Sequence, residues 1–388
     1  MLQTALFFLA FFTLAVWVYL LTARGGFWRV SSFDADRDSN PGLAAWPAVV
    51  AIVPARNEAL AIAQTIASLL AQEYPGIFSI VVVDDHSEDG TAEIARKAAA
   101  ERSSAPSVTV HSAAPLPPGW TGKVWALSQG ALRVEEAKPA YYWLTDADVI
   151  HTPDMLRRLV ARAEHDHLDL TSLSVLLQSR TLAERALIPA FTYFFLKLYP
   201  PRQIANPASR TAGAAGGCIL LRSEMLERIG GFAAIRGEVI DDCALAHAVK
   251  RNGGRIWLGL TRKSQTLRTY GTFSEIRNMI ARAAFTQLHY SALVLLVTLT
   301  AMFLTYVAPV GLLFAPAPAT RLLALAAWLL MTLSFAPTLR FYRLSPFWAP
   351  LLPLVALFYS YATCLSAVRY WLGRGAQWKG RAQAPRPA

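Results

Sequence analysis

The sequence predicts an α/β domain with a mostly parallel sheet, set between membrane-spanning helices. Three observations lead there. Strand-like and helix-like stretches alternate through residues 48–145, the pattern of successive βαβ units. All 26 acidic residues lie between Asp34 and Glu275. The flanks are long apolar runs, so the chain is 54% hydrophobic and only 16% charged, where a soluble domain carries about a quarter. The expected division is an anchor at 1–23, a linker at 24–47, the α/β domain at 48–290, membrane helices at 291–372 and a basic tail at 373–388.

Leu2–Thr22 is uncharged and 21 residues long. As a helix at about 1.5 Å per residue it spans the apolar core of a bilayer. It lacks the basic start and small-residue cleavage site of a signal peptide, so it reads as a retained anchor. Ser291–Phe314, Leu322–Pro337 and Pro346–Trp371 are further apolar stretches. The second is short, and Pro346, Pro350 and Pro353 should kink the start of the third. Arg24 and Arg29 after the first span place the middle domain on the cytoplasmic side, and Arg340 and Arg343 agree. Four full crossings would put the tail outside, yet it holds Arg374, Lys379, Arg381 and Arg386; the number of true spans stays open.

The net charge of +11 sits mostly beside the apolar stretches, where it serves membrane attraction and topology rather than nucleic-acid binding. Cys218, Cys243 and Cys364 have neither metal-ligand nor disulfide spacing, which fits a reduced compartment.

Within the middle, Ala48–Val53, Ser79–Val83, Val108–His111 and Tyr141–Leu144 read as strands. Ala59–Gln72, Thr91–Arg102 and Val124–Glu136 read as the intervening helices. Between Thr181 and Pro201 an apolar helix could be core or interfacial. Ligands of such sheets sit beyond the carboxyl ends of the strands. There the chain places Pro54-Ala55-Arg56-Asn57-Glu58, then Asp84-Asp85-His86-Ser87-Glu88-Asp89-Gly90-Thr91, then Asp146-Ala147-Asp148. Singly, each cluster could be a turn or a helix cap. Jointly, crowded carboxylates call for cations, and a divalent Mg²⁺ or Mn²⁺ bridging phosphate oxygens meets that need. His165-Asp166-His167 reads as a solvated helix end rather than a metal cluster.

In this order and spacing, the three loops resemble family 2 glycosyltransferases of the inverting GT-A fold. Gly122-Lys123-Val124-Trp125-Ala126-Leu127 is similar to that family's GK-x-x-AL segment. Gly216-Gly217-Cys218-Ile219-Leu220-Leu221-Arg222 is similar to its acceptor-side strand. Ile240-Asp241-Asp242-Cys243 is similar to its Glu-Asp catalytic motif, with Asp at 241. With the flanking spans, the closest resemblance is to hopene-associated glycosyltransferases, and more distantly to ceramide glucosyltransferases. The family's Gln-x-x-Arg-Trp helix falls on residues 279–283 and keeps only Arg282, which implies a single transfer rather than processive synthesis.

The resemblance implies a multi-pass protein, in a bacterial inner membrane, that moves a sugar from a nucleotide-sugar, a UDP-sugar above all, to a lipid hydroxyl. Pro54, Arg56, Asn57 and Glu58 would line the nucleotide pocket, with Asp84 or Asp85 on the base. Asp146 would lie near ribose or sugar, Asp148 on the metal and Lys123 near the phosphates. Asp242 would be the general base, with Asp241 beside it and Arg282 supporting it or the diphosphate. Polyprenyl phosphate or polysaccharide acceptors are an alternative. A nucleotidyltransferase would show a Gly-rich basic loop after the first strand, which is missing here. A transport subunit would need ionisable residues in its spans, which are almost devoid of them.

Overall fold

The computed structural model describes residues 1–37, 42–100, 106–374, 377–378 and 381–382. Arg102 of the third expected strand's preceding helix, and Lys379 and Arg386 of the expected tail, lie outside these. In chain order the elements are α1 (Leu2–Thr22), β1 (Val49–Ala55), α2 (Ile62–Leu70), β2 (Phe78–Asp84), α3 (Thr91–Ala100), β3 (Ser107–Ser112) and α4 (Gly122–Arg133). Next come β4 (Tyr141–Thr145), β5 (Val149–His151), α5 (Met155–His165), β6 (Leu170–Leu176), α6 (Leu182–Leu198) and α7 (Pro201–Ala205). They continue with β7 (Cys218–Arg222), α8 (Ser223–Arg228), α9 (Asp241–Arg251), β8 (Ile256–Thr266) and α10 (Phe273–Gln287). The last helices are α11 (Ala292–Met302), α12 (Ala308–Leu312), α13 (Pro318–Phe341) and α14 (Leu352–Trp371).

These elements form two units. One comprises residues 33–178, 203–268 and 377–388; the other comprises 1–32, 179–202 and 269–376. The first is built on an eight-stranded sheet in the order β3-β2-β1-β4-β7-β6-β8-β5. β3, β2, β1 and β4 run parallel. β7 is antiparallel to β4 and β6, β6 is parallel to β8, and β5 is antiparallel to β8. The sheet is therefore mixed, with its parallel half at the N-terminal end of the chain as the alternating pattern expects. β5, β6 and β8 were not expected, because β6 and β8 interleave Ser, Thr, Arg and Lys with their apolar residues and β5 has three residues only.

β1 is buried at all seven positions, which requires helices on both faces. Val49, Ala51 and Val53 pack with Ile62, Ile66 and Leu69 of α2 on one face. On the other, Gly130 of α4 comes so close that a Cβ there would stand 2.5 Å from Ile52 Cγ2. The expected helix from Ala59 begins three residues later, at Ile62. The backbone ahead of it is claimed by side chains of the next loop: Glu58 N–H donates to Thr91 Oγ1 (2.8 Å) and Ala59 N–H to Asp89 Oδ2 (3.0 Å).

In the other unit, among the described residues, four helical segments are long and apolar enough to cross a membrane: Leu2–Thr22, Ala292–Leu312, Pro318–Phe341 and Pro346–Trp371. The third exceeds the expected Leu322–Pro337, since the helix continues through Arg321 and Arg340 at its ends and carries Pro337 within it. The fourth opens on a 3₁₀ run, Pro346–Leu351, where its prolines fall. A π-turn at Phe303–Val307 joins α11 to α12. The widened turn frees a carbonyl, and Trp17 Nε1–H donates to Thr305 O at 2.8 Å. Small residues let α1, α12 and α13 meet: Ala10, Leu312 and Ala324 form one buried cluster. α6 packs inside this unit, with Tyr193 OH on Ser334 Oγ and Tyr359 OH donating to Leu187 O.

The close approach of α4 to β1 yields a prediction. Gly130→Val should destabilise the sheet unit by about 1–3 kcal/mol, the usual cost of overpacking. An unchanged thermal unfolding midpoint in the purified protein would show that α4 can move away freely.

Candidate active site

The parallel strands end their buried runs at polar loops, and two of these are laced together. Arg56 donates to the carbonyls of Asp85 and His86, and its guanidinium lies 3.8 Å from Asp85 Oδ2. Asn57 N–H donates to Ser87 Oγ (2.9 Å), while Asn57 Oδ1 accepts from Glu88 N–H (3.0 Å). Asn57 and His86 both take left-handed backbone, at φ 51° and 54°, a conformation in which Asn and His are enriched. Asp89, acidic but outside the expected set, caps α3 through Thr91 N–H at 3.1 Å. Asp84 accepts from Ser87 N–H through Oδ2, and its Oδ1 is buried without a hydrogen-bond partner.

The third loop joins β4 to β5 and carries Asp146 and Asp148. They turn to different cations. Lys123 Nζ, on the first turn of α4, lies 2.8 Å from Asp146 Oδ1 and 3.4 Å from Asp241 Oδ2. Arg268, just past β8, lies 3.3 Å from Asp148 Oδ2 and 3.4 Å from Glu58 Oε1. Arg268 was missed in the sequence, although its place directly after a strand is the signal that flagged the other loops.

Asp241 and Asp242 open α9, next to the positive end of its dipole. Ile240 is the N-cap of this helix and makes no side-chain capping bond. Asp242 instead reaches across to the β7 loop, where Gly216 N–H donates to its Oδ2 at 2.8 Å; Cys243 N–H donates to Oδ1 at 2.7 Å. Gly216 lets the Lys123 and Asp242 side chains come this close. A Cβ would stand 3.1 Å from Lys123 Nζ and 3.3 Å from Asp242 Oδ2.

One hollow is lined by Pro54, Lys123, Asp146, Gly216, Asp241 and Asp242, with an apolar wall that includes Leu127, Phe232 and Leu245. Five segments distant in sequence, at β1, α4, β4, β7 and α9, thus converge. Burial alone would push the Lys123 ammonium down, but Asp146 and then Asp241 outweigh it and hold Lys123 firmly protonated. Asp242 is raised to about 6, by burial first and by Asp241 second, with Lys123 opposing. Beneath the hollow, His151 bridges Ser264 Oγ (2.7 Å) and Thr145 Oγ1 (2.9 Å), and Thr145 donates to Gly217 O. Burial lowers His151 to about 3, so it stays neutral.

Other expected residues fall elsewhere. Cys218 is in the core, where its sulfur accepts from Trp143 Nε1–H at 3.4 Å, and Gly217 packs on Val175. Arg282 is exposed on α10, in the unit of long apolar helices. His165 is exposed at the end of α5, beside Asp166. For a metal, the β4–β5 turn offers two carboxylates, and among the described residues no group of three or more His, Cys, Asp or Glu forms a cation cage. That donor set fits a Mg²⁺ or Mn²⁺ ion completing its shell with water and phosphate oxygens, not a closed structural site.

Residues 50–230 match the family model described as Glycosyl transferase family 2. With the mixed sheet and its GT-A neighbours, this stretch is a family 2 glycosyltransferase domain of the GT-A fold, and the enzyme class is glycosyltransferase. The fold is similar to that of a mannosyltransferase from Pyrobaculum calidifontis in complex with GDP-Man and Mn²⁺, at TM-score 0.55 and 20% identity, covering 92% of this chain and 99% of that one. A structure of S. aureus TarS residues 1–349 in complex with UDP-GlcNAc aligns at TM-score 0.40 and 16% identity, covering 84% and 92%. No curated protein matches the sequence.

Since a Cβ at Gly216 would press on Lys123 and Asp242, Gly216→Ala should lower turnover at least tenfold, with the thermal midpoint little changed. Wild-type turnover in this variant would mean that the Lys123 and Asp242 side chains need not stand so close.

Proposed function

We propose that the chain is a membrane-bound inverting glycosyltransferase that transfers a sugar from a nucleotide-sugar, a UDP-sugar first, to a lipid hydroxyl. The single observation carrying this reading is Asp242, held by the Gly216 N–H in the hollow that also holds Lys123, Asp146 and Asp241. A carboxylate tuned to about 6 is a general base suited to neutral pH. It would take the proton of an acceptor hydroxyl as that oxygen attacks the anomeric carbon from the face opposite the departing diphosphate. Asp241 keeps Asp242 basic by repulsion, and Lys123 offsets that repulsion and holds the pair together. The buried Asp84 Oδ1 would accept an N–H of the nucleobase, with Asp85 and the Pro54–Glu58 loop shaping that end.

Asp148, with Asp146, would hold a Mg²⁺ or Mn²⁺ ion, which when bound supplies charge neutralisation for the leaving diphosphate. Arg268 and Lys123 already neutralise these carboxylates, and both stand where they can turn to phosphate. Four helices long and apolar enough to cross a membrane support membrane attachment, and the purely cationic flanks favour a cytoplasmic sheet unit by the positive-inside rule. Such an attachment favours a lipid acceptor. The resemblance noted in the sequence narrows it to a polycyclic, hopanoid-type lipid.

The direct test is incubation of the purified protein with nucleotide-sugars and membrane lipid extract, reading nucleoside diphosphate release and glycolipid by mass spectrometry. Asp242→Asn should cut transfer by about a thousandfold, within the range of general-base catalysis, while donor affinity stays near wild type; equal loss of both would make Asp242 structural. Transfer should also rise with pH through about 6, as Asp242 loses its proton, and level off above. A flat rate between pH 5 and 7 would remove Asp242 as the base. In Asp148→Ala, donor affinity should no longer respond to Mn²⁺, and a retained response would take Asp148 out of the metal site.

A further inference from the structure

The sheet unit has as many acidic as basic residues, so the formal charge of +11 resides on the unit of apolar helices, with thirteen Lys and Arg against two acids. Both acids are occupied by backbone. Glu184 accepts from the N–H groups of Arg180 (2.8 Å), Thr181 (2.9 Å) and Tyr270 (2.6 Å). Glu275 accepts from Gly271 N–H at 2.8 Å. Neither forms an ion pair among the described residues.

Four of the cations gather where α1 and α6 end. Arg24 Nε and Nη2 donate to the carbonyls of Lys197 and Leu198, each at 3.2 Å. Lys197 Nζ donates to Tyr306 OH at 2.8 Å and lies over the rings of Phe194 and Tyr306. Arg29 and Arg202 both border Gly26: a Cβ there would stand 3.7 Å from Arg29 Cδ and 3.8 Å from Arg202 Nη1. Every partner is neutral, and among the described residues no carboxylate lies within ion-pair distance of any of the four.

Capping of the α6 carbonyls accounts for Arg24. It does not account for Lys197, Arg29 and Arg202 at the same place. Like charges brought together repel, and burial first and Arg24 second lower Lys197 to about 8. An anion among them turns repulsion into attraction. The position specifies which anion. α1 is a 21-residue apolar helix, and Arg24 follows its last residue by two positions. Trp28, with its Nε1–H on Leu21 O, and Tyr199 mark the aromatic belt found at headgroup depth.

We propose that Arg24, Arg29, Lys197 and Arg202 form a binding site for the phosphate of an anionic membrane lipid. The site is independent of the transferase reading, because none of the four lines the catalytic hollow. Arg24 and Lys197, half-buried, form its floor; Arg29 and Arg202, exposed, form its rim.

The test uses the full chain in nanodiscs of phosphatidylcholine with and without phosphatidylglycerol, with retained lipid counted by native mass spectrometry. Wild type should retain phosphatidylglycerol selectively and gain thermal stability from it. The rim variant R29Q/R202Q, which removes only exposed side chains, should lose about tenfold in retention, given the attraction each cation contributes at a membrane surface. Lys197→Met should lose it as well. Equal retention by wild type and the rim variant would overturn the site. So would an equal gain in stability from inorganic phosphate in phosphatidylcholine alone, since the ligand would then be a soluble anion.

Discussion

The Lys123 ammonium is the constraint on which the site depends. It sits 2.8 Å from Asp146 and 3.4 Å from Asp241, with Asp242 just beyond. Those carboxylates come from two separate segments, the β4–β5 loop and the start of α9, and without a cation between them their mutual repulsion would open the hollow. α4 delivers the cation because Gly130 lets it lie directly on β1, and Gly216 leaves the gap into which both Lys123 and Asp242 reach. Fold and chemistry therefore meet at two glycines and one lysine.

The same economy governs Asp148, which faces Arg268 rather than a preformed cage. Two cations thus pair with two carboxylates of one loop. In the proposed reaction a nucleotide-sugar would bring its own negative diphosphate, and a divalent ion arriving with it would exchange partners with these cations instead of meeting a bare acidic cluster. The neutral His151 bridge below, from Ser264 through Thr145 to Gly217, ties β8 and β5 to the loops that carry Asp146 and Gly216.

Much of this was legible in the sequence. Pro54, Asp146, Lys123, Asp241, Asp242 and Gly216 were singled out because they follow strands or sit in spaced motifs, and they line one hollow. The four apolar segments were legible from length and lack of charge, and α1 matches its expected bounds. What escaped depended on partners distant in the chain. Asp89 looks like a ligand until Ala59 and Thr91 are seen to use its oxygens. Cys218 belongs to a motif, yet strand alternation turns its sulfur toward Trp143. Arg268 lies beyond a strand too rich in Arg, Lys and Thr to announce itself. α6, which the sequence left between core and interface, is packed among the long apolar helices, with polar contacts that no periodicity encodes.

The most direct measurement is the pH dependence of transfer in Lys123→Met, compared with wild type. Loss of the ammonium leaves Asp242 beside Asp241 with no counter-charge, so the pH at half-maximal rate should move up from about 6 by at least one unit, with weaker donor binding. An unmoved pH profile with normal donor affinity would show that Lys123 does not set the charge of this site.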